Sequence, residues 1–208
     1  MLNHVRAFHL APSKLIVCLL ASASFAVQAD ESVNHVVGVS LGTVSPGNSI
    51  LESGATRSEI EYSGDMGYAL SWGSAQDNAR FQFEYLHSES DIDSIVSGGV
   101  TTSVQSTQRH DSLFYSGYWT PRVCDKIHAV VGAGVGYSYT KISGANDFSE
   151  GGWGLKGSLG AEYPVLENLR VTGLFEYIRY GDLEADDEVT QLQDLSETQL
   201  SIGLNYFY

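Results

Sequence analysis

Two short clusters combine the side-chain types that hydrolytic enzymes use. Residues 87–90 are His-Ser-Glu-Ser, and residues 110–112 are His-Asp-Ser. A histidine oriented by a carboxylate could take the proton of a serine and activate it for attack on an acyl bond. Both clusters lie in segments where polar and apolar residues alternate, so consecutive side chains point to opposite sides. Ser88 would then point away from His87. We expect these residues to line loop rims, and we predict neither a catalytic site nor an enzyme.

A second candidate is an acidic segment near the C-terminus. Clustered carboxylates of this kind can bind Ca²⁺, but the segment lacks the central glycine and the ordered ligand positions of an EF-hand. We therefore predict a solvated acidic loop that favours cationic partners or divalent ions, with no dedicated metal or cofactor site. Its carboxylates are those of Asp182, Glu184, Asp186, Asp187, Glu188, Asp194 and Glu197.

The charge balance limits the partners. The 208 residues include 11 Lys+Arg and 25 Asp+Glu, a formal net charge of −14. This acidity argues against nucleic acid, because binding a phosphate backbone requires a basic patch. Charged residues make up only 17% of the chain, less than the roughly 25% that is usual for soluble proteins. Together with 12 Tyr and 22 Gly, this composition suggests strands that face something other than water.

The first 29 residues have the features of a secretory signal peptide. Arg6 and Lys14 precede an apolar core at 15–21, and Val27-Gln28-Ala29 places small residues at the two positions that signal peptidase recognises. The core is too short to span a bilayer as a helix. We predict cleavage after Ala29, which leaves the domain at 30–208 with Cys124 as its single cysteine.

The remainder of the chain shows a period of two, typical of strands with one apolar face. Eight strands are predicted, near 33–44, 58–73, 79–89, 107–120, 126–141, 152–163, 168–180 and 197–208. The connections at 74–78, 121–125 and 164–168 are short, whereas those at 44–57, 90–105, 142–151 and 181–196 are long and polar. This alternation predicts an all-β, eight-stranded antiparallel up-and-down transmembrane β-barrel with both termini at the short-turn end.

The face opposite the apolar residues is rich in glycine. A soluble barrel of lipocalin type would put its apolar set inside, but a narrow transmembrane barrel needs small residues in its lumen. We therefore predict that the apolar set, which includes Ile60 and Tyr62, faces lipid. The inward glycines are then Gly38, Gly42, Gly67, Gly73, Gly132, Gly134, Gly136, Gly154, Gly160 and Gly203.

Aromatic residues on the apolar parity gather at both strand ends, as two membrane interfaces would select. At the short-turn end they are Trp72, Phe81, Trp119, Tyr163 and Tyr208; at the loop end they are Tyr62, Tyr85, Tyr139, Trp153 and Tyr177.

Three segments carry a family resemblance: Ser-Ile-Gly-Leu-Asn-Tyr-Phe-Tyr at 201–208, Val-Val-Gly-Ala-Gly-Val-Gly-Tyr at 130–137 and Phe-Glu-Tyr at 175–177. They resemble the last, fifth and seventh strands of the small outer-membrane β-barrel superfamily that includes OmpA-type transmembrane domains and OmpX/Ail proteins. Tyr208 stands where phenylalanine is commoner. The resemblance implies a monomer in the bacterial outer membrane, without the periplasmic peptidoglycan-binding domain of full OmpA-type proteins. It implies contacts with membrane lipid and lipopolysaccharide, and with the assembly machinery through the last strand.

The resulting functional hypothesis is a structural or surface-interaction protein with four exposed loops. One alternative is a lipid-A-modifying hydrolase or acyltransferase, although the His-x-Ser-Asn pattern of lipid A deacylases is missing. The second is a narrow channel. Inward-facing charges are expected to fill an eight-stranded lumen and argue against a wide pore. They are Arg80, Glu84, Lys156, Glu162, Arg170 and Glu176.

These charges also predict a register for the sixth and seventh predicted strands. With Tyr163 opposite Leu169, Glu162 lies opposite Arg170 and Lys156 lies opposite Glu176. A shift of two residues would place uncharged residues opposite Glu162 and Lys156. Cross-strand attraction between opposite charges favours the first register.

Overall fold

The computed structural model describes residues 33–53, 56–143, 148–181, 183–184, 190–193 and 195–208. The predicted signal peptide lies outside these residues, as do most carboxylates of the acidic segment. No helix in the described part of the chain is long and apolar enough to cross a membrane.

The described residues form twelve strands. They are β1 (Asn34–Pro46), β2 (Ser49–Ser53), β3 (Thr56–Tyr62), β4 (Asp65–Gln76), β5 (Ala79–Ser97), β6 (Val100–Trp119), β7 (His128–Ser143), β8 (Phe148–Pro164), β9 (Leu169–Tyr180), β10 (Leu183–Glu184), β11 (Thr190–Gln193) and β12 (Ser196–Phe207).

Eight of these strands close into a ring, in the order β1, β4, β5, β6, β7, β8, β9, β12 and back to β1, and every pairing is antiparallel. The ring closes where β1 meets β12, for example at Val37 opposite Tyr206. Paired backbone bonds between His35 and Tyr208, 2.8 and 2.9 Å long, extend this seam to the end of the chain. The predicted eight-stranded barrel is confirmed. The first residues of β1 and the last residues of β12 lie together at the short-turn end.

The two faces of the wall differ as predicted. Apolar side chains point outward along each of the eight strands of the ring, and Ile202 and Leu155 are 65% and 67% exposed. A contiguous apolar belt of this extent would not be stable in water, so it faces lipid. The glycines point inward: a Cβ on Gly38 would lie 2.5 Å from the Ser71 hydroxyl, and one on Gly42 would lie 2.5 Å from the Leu200 carbonyl oxygen. Strands can therefore approach luminal side chains closely at these positions.

The register predicted for β8 and β9 is wrong by two residues. Tyr163 lies opposite Val171, Glu162 opposite Thr172 and Lys156 opposite Ile178. The turn between the strands is responsible, because the backbone of Leu169 bonds to Val165 and Leu166 within the turn and not to Tyr163. The predicted ion pairs nevertheless form on the diagonal, since long side chains reach residues two positions away on the next strand.

The predicted strand 58–73 is two strands, β3 and β4, interrupted at Ser63 and Gly64. Ile60 and Tyr62 therefore do not face lipid. Ile60 is buried, and the hydroxyls of Tyr62 and Ser49 are hydrogen-bonded at 2.6 Å. Burial raises the pKa of the Tyr62 phenol to about 12, so the phenol is neutral at physiological pH.

Much of the two loops predicted at 44–57 and 90–105 is also strand. The sheet continues beyond the barrel as β2, β3, residues 90–97 of β5, residues 100–107 of β6, β10 and β11, which together we call the extension. Within it, β2 pairs with β3 and β11, while β3 pairs with β5. The connections are long because they carry a sheet of their own, and the period-two pattern was lost where bulges shift the register near 61–62 and 92–94.

Candidate functional site

The lumen next to the short-turn end holds a carboxylate between two guanidinium groups. Glu162 accepts from Arg80 Nη1 at 2.6 Å and from Arg170 Nη1 at 2.8 Å. The Thr172 hydroxyl adds a third donor at 3.1 Å and accepts from Asn205 Nδ2 at 2.8 Å. Such multiple pairing is what makes a buried carboxylate tolerable, since an unpaired one costs several kcal/mol or more.

A second cluster lies further along the lumen, around the buried ammonium group of Lys156. This group forms a close ion pair with Glu84 and lies 3.2 Å from Glu176. The Tyr118 hydroxyl donates to Glu84 at 2.6 Å, and Ser158 donates to Glu176 at 2.9 Å. The guanidinium of Arg80 lies over the Tyr118 ring at 5.0 Å from its centroid, which joins the two clusters.

These contacts fill the barrel. All six predicted luminal charges point inward, three positive and three negative, and five of them are almost fully buried. Two cavities of about 40 Å³ each lie beside these charges, each with room for a few waters. The ion pairs and hydrogen bonds among the luminal charges therefore connect the strands of the barrel across its lumen.

A seventh inward charge, Glu197, was predicted to belong to the acidic loop, and this was wrong. Glu197 lies in β12 with 1% exposure and points into the lumen. It accepts from the Ser88 hydroxyl at 3.2 Å and from the Gln199 amide. The strand begins at Ser196, so Glu197 already follows the inward parity of the barrel wall.

Among the described residues no group of three potential ligands could hold a metal ion; Asp182, Asp186, Asp187, Glu188 and Asp194 lie outside them.

An apolar cluster, which we call the cap, covers the loop end of the lumen. Ile60, Ile92 and Leu195 come from the segments around the barrel rim and the extension. They pack with four inward-facing wall residues: Leu86, Phe114, Ile178 and Tyr180. The cap was not predicted. One signal was available in the sequence, since Phe114 and Tyr118 share the inward parity of Ser112 and Ser116.

The barrel wall divides each of the two histidine clusters between its outer face and its luminal face. His87 and Asp111 point outward, with Nδ1 of His87 2.8 Å from the carboxylate, which also accepts from Tyr85 at 2.5 Å and Arg109 at 2.8 Å. Ser88 points inward, as predicted from the alternation.

The other members of the second cluster also face the lumen. Ser112 donates to Ser138 at 2.8 Å. His110 is buried, stacks on Tyr180 with a centroid separation of 5.3 Å and has Nδ1 2.9 Å from the Thr140 hydroxyl. The structure therefore joins His87 to Asp111 and leaves all three serines, Ser88, Ser90 and Ser112, on the other face.

A closed ring of eight antiparallel strands, apolar outside and charged inside, defines a bacterial outer-membrane β-barrel. Residues 15–207 match the family model described as outer membrane protein beta-barrel domain. The chain belongs to that family, and its location is the bacterial outer membrane.

Solved structures share the fold. The chain is similar to Neisserial surface protein A (14% identity, 85% of this chain and 99% of that one, TM-score 0.56). It is also similar to a major outer membrane protein of Thermus thermophilus (14%, 86% and 100%, 0.55). The outer membrane protein OprG of Pseudomonas aeruginosa is a third (13%, 85% and 97%, 0.53). No curated protein sequence matches this chain.

Proposed function

We propose that this protein is a closed outer-membrane anchor that presents its extension for contacts at the cell surface, without channel or enzymatic activity. The observation that carries the proposal is the cap, because it joins the extension to the barrel through buried apolar side chains. A sheet held in this way is a fixed feature of the molecule and extends above the membrane.

The lumen supports the same proposal. A solute crossing it would have to separate the ion pairs of Glu162 and Lys156 and then pass the apolar cap. Separating a buried pair is strongly unfavourable, and an apolar constriction repels water and ions. The narrow channel is therefore the weaker hypothesis.

The enzymatic alternative finds little support in the positions of the candidate groups. A serine nucleophile must lie within hydrogen-bond reach of its base, yet Ser88 donates to Glu197 inside the lumen while His87 bonds to Asp111 outside. Mass spectrometry of lipid A from cells with and without the protein tests this alternative. We expect identical lipid A.

Export and assembly complete the proposal. We infer that residues 1–29 direct export and that the assembly machinery recognises the last strand, ending at Tyr208. The outward aromatic residues at both strand ends, among them Trp119 and Tyr177, would lie at the two interfaces with lipid and lipopolysaccharide.

Single-channel recording in planar lipid bilayers tests the closed lumen. The wild-type protein should give no discrete conductance steps at about 100 mV, a voltage of the size that biological membranes sustain. Regular steps from the wild-type protein would contradict the proposed anchor role.

A further inference from the structure

A groove crosses three strands of the extension, β2, β3 and β5. It encloses about 360 Å³, whereas each luminal cavity encloses about 40 Å³. Pockets that bind small molecules measure roughly 300–1,000 Å³, so the groove has room for a small molecule or for one long side chain. Its lining residues are Asn48, Ile50, Arg57, Ser58, Glu59 and Val96.

The alternation of side chains along β3 determines which face carries the groove. Ile60 packs into the cap, so Glu59 and, two residues before it, Arg57 point to the opposite side. Ile50 and Val96 lie directly opposite Glu59 on the two adjoining strands, and residues paired in this way share a face. The groove therefore opens away from the cap, where Arg57 and Glu59 are exposed to solvent.

One end of the groove holds a carboxylate between two apolar side chains. Glu59 accepts from Asn48 Nδ2 at 2.9 Å, and none of the ion pairs among the described residues includes it. Ile50 and Val96 are half-buried on either side. An ammonium on an aliphatic stem fits this end, because the stem can pack on apolar side chains while the charge reaches the carboxylate.

The other end of the groove holds a guanidinium. The Arg57 side chain is 68% exposed, and its Nε lies 4.0 Å from Glu52, so this long ion pair leaves most of its N–H groups available. A guanidinium can bind a carboxylate through two parallel hydrogen bonds. Alternate residues of a strand are about 6.6 Å apart. The groove thus presents an anion and a cation at roughly that separation, with apolar surface beside them.

We propose that this groove binds the C-terminal lysine of another protein. The lysine ammonium pairs with Glu59, its stem packs against Ile50 and Val96, and the terminal carboxylate pairs with Arg57. A lysine within a chain lacks the carboxylate. Free lysine carries a second ammonium beside its carboxylate, which Arg57 repels, so the end of a chain fits better than the amino acid. This inference rests on the proposed surface role and names the class of partner.

The test uses the full mature chain in lipid nanodiscs and a fluorescent peptide, Gly-Ser-Gly-Ser-Gly-Lys with a free C-terminus, followed by anisotropy. Wild type should bind this peptide, and 6-aminohexanoate should displace it better than hexylamine or hexanoate, since each of these lacks one of the two charges. Amidation of the peptide, Glu59→Gln and Arg57→Gln should each weaken binding by about tenfold, because each removes one charged hydrogen-bonded pair.

Glu52→Gln is the matched control, because Glu52 belongs to the same face but does not line the groove. This variant should bind at least as tightly as wild type, since Glu52 competes with the peptide for Arg57. Equal weakening by Glu52→Gln and Glu59→Gln would mean that the acidity of the extension as a whole attracts the peptide, and would overturn the proposal.

Three further results would overturn it: no binding of the peptide to wild type, equal binding of the amidated peptide, or tighter binding of free lysine than of the peptide. Retention of the faster mobility of the unheated variants on a gel establishes that their barrels are folded. The conductance recording does not depend on the groove, so failure here leaves the closed anchor standing.

Discussion

At the scale of single residues, the lumen is held together by charges that each have more than one partner. Glu162 serves two arginines, and Lys156 serves two glutamates. Because these charges are shared, removing one side chain leaves several other buried charges without an ion-pair partner. The energetic unit is the cluster rather than the pair.

Replacing Lys156 by Met should therefore destabilise the barrel by about 3–5 kcal/mol, the usual cost of leaving a buried charge unpaired, with partial hydration of the lumen reducing it. Adding Glu176→Leu should recover only part of this loss, because Glu84 remains unpaired. Adding Glu84→Gln as well should recover more. Urea unfolding in lipid vesicles measures these differences.

The matched control is Lys126→Met, which removes an exposed lysine from the turn between β6 and β7 and should change the free energy of unfolding little. Strictly additive losses for Lys156→Met and Glu176→Leu would show that the two side chains do not interact.

Two glycines of β8 face opposite sides of the wall and should respond differently to the same substitution. A Cβ on Gly160 would overlap the Gly173 carbonyl oxygen and lie 2.8 Å from Leu174 Cδ2, whereas one on Gly157 meets nothing within 4 Å. We expect Gly160→Ala to cost about 1–3 kcal/mol through overpacking. Gly157→Ala should stay within ~0.5 kcal/mol of wild type. Equal effects in urea unfolding would contradict the assignment of the two faces.

The alternation of residues along each strand limited how many of the luminal contacts could be predicted from the sequence. Alternation alone indicated which charges point inward. Charge matching between the two strands then predicted the pairs Glu162–Arg170 and Lys156–Glu176, and both form. The register was wrong because a long side chain pairs diagonally as well as directly, so charge matching cannot separate two registers two residues apart. The contact between Lys156 and Glu84 crosses the lumen, and no pattern along a single strand encodes it.

At the scale of elements, the barrel depends on the seam between its first and last strands. β1 and β12 pair from Val36 to Pro46, and Tyr208 extends the seam through its bonds to His35. The exposed Tyr208 ring stacks against Tyr206 with a centroid separation of 6.1 Å. The last strand therefore has two tasks, closing the ring and presenting an aromatic end.

Changing Tyr208 to Asp should block assembly of the barrel while leaving export intact, because a charge at the membrane interface replaces the aromatic end of the strand. Tyr208→Phe keeps the ring and should assemble normally. Fractionation of outer membranes, with gel mobility before and after heating, measures both. Normal levels of folded Tyr208→Asp would show that the terminal aromatic has no part in assembly.

The strands of the extension were not predicted from the sequence. The eight wall strands follow a regular period of two between lipid and lumen, so their existence and facing were predictable. In the extension, one face packs on the cap and the other meets solvent, and bulges shift the parity near Tyr62 and Ile92. Polar residues on its solvent face resemble those of a loop, which is why 90–105 was predicted as one.

At the scale of the whole molecule, the charges and apolar surfaces are arranged along the barrel axis. An apolar belt surrounds the middle, paired charges fill the lumen, the cap covers one end and the extension rises beyond it. The short turns, with the start of β1 and the end of β12 beside them, occupy the other end. Short turns in such barrels face the periplasm. The extension is then on the outside of the cell.

Labelling of cysteines in intact cells with a membrane-impermeant maleimide tests this arrangement most directly. Cys124 is exposed in the turn between β6 and β7 and should react only after the outer membrane is permeabilised. Thr101→Cys, placed in a Cys124→Ser background, should react in intact cells because residue 101 lies on the extension. Labelling of Cys124 in intact cells, with Thr101→Cys protected until permeabilisation, would contradict the orientation and the surface role that rests on it.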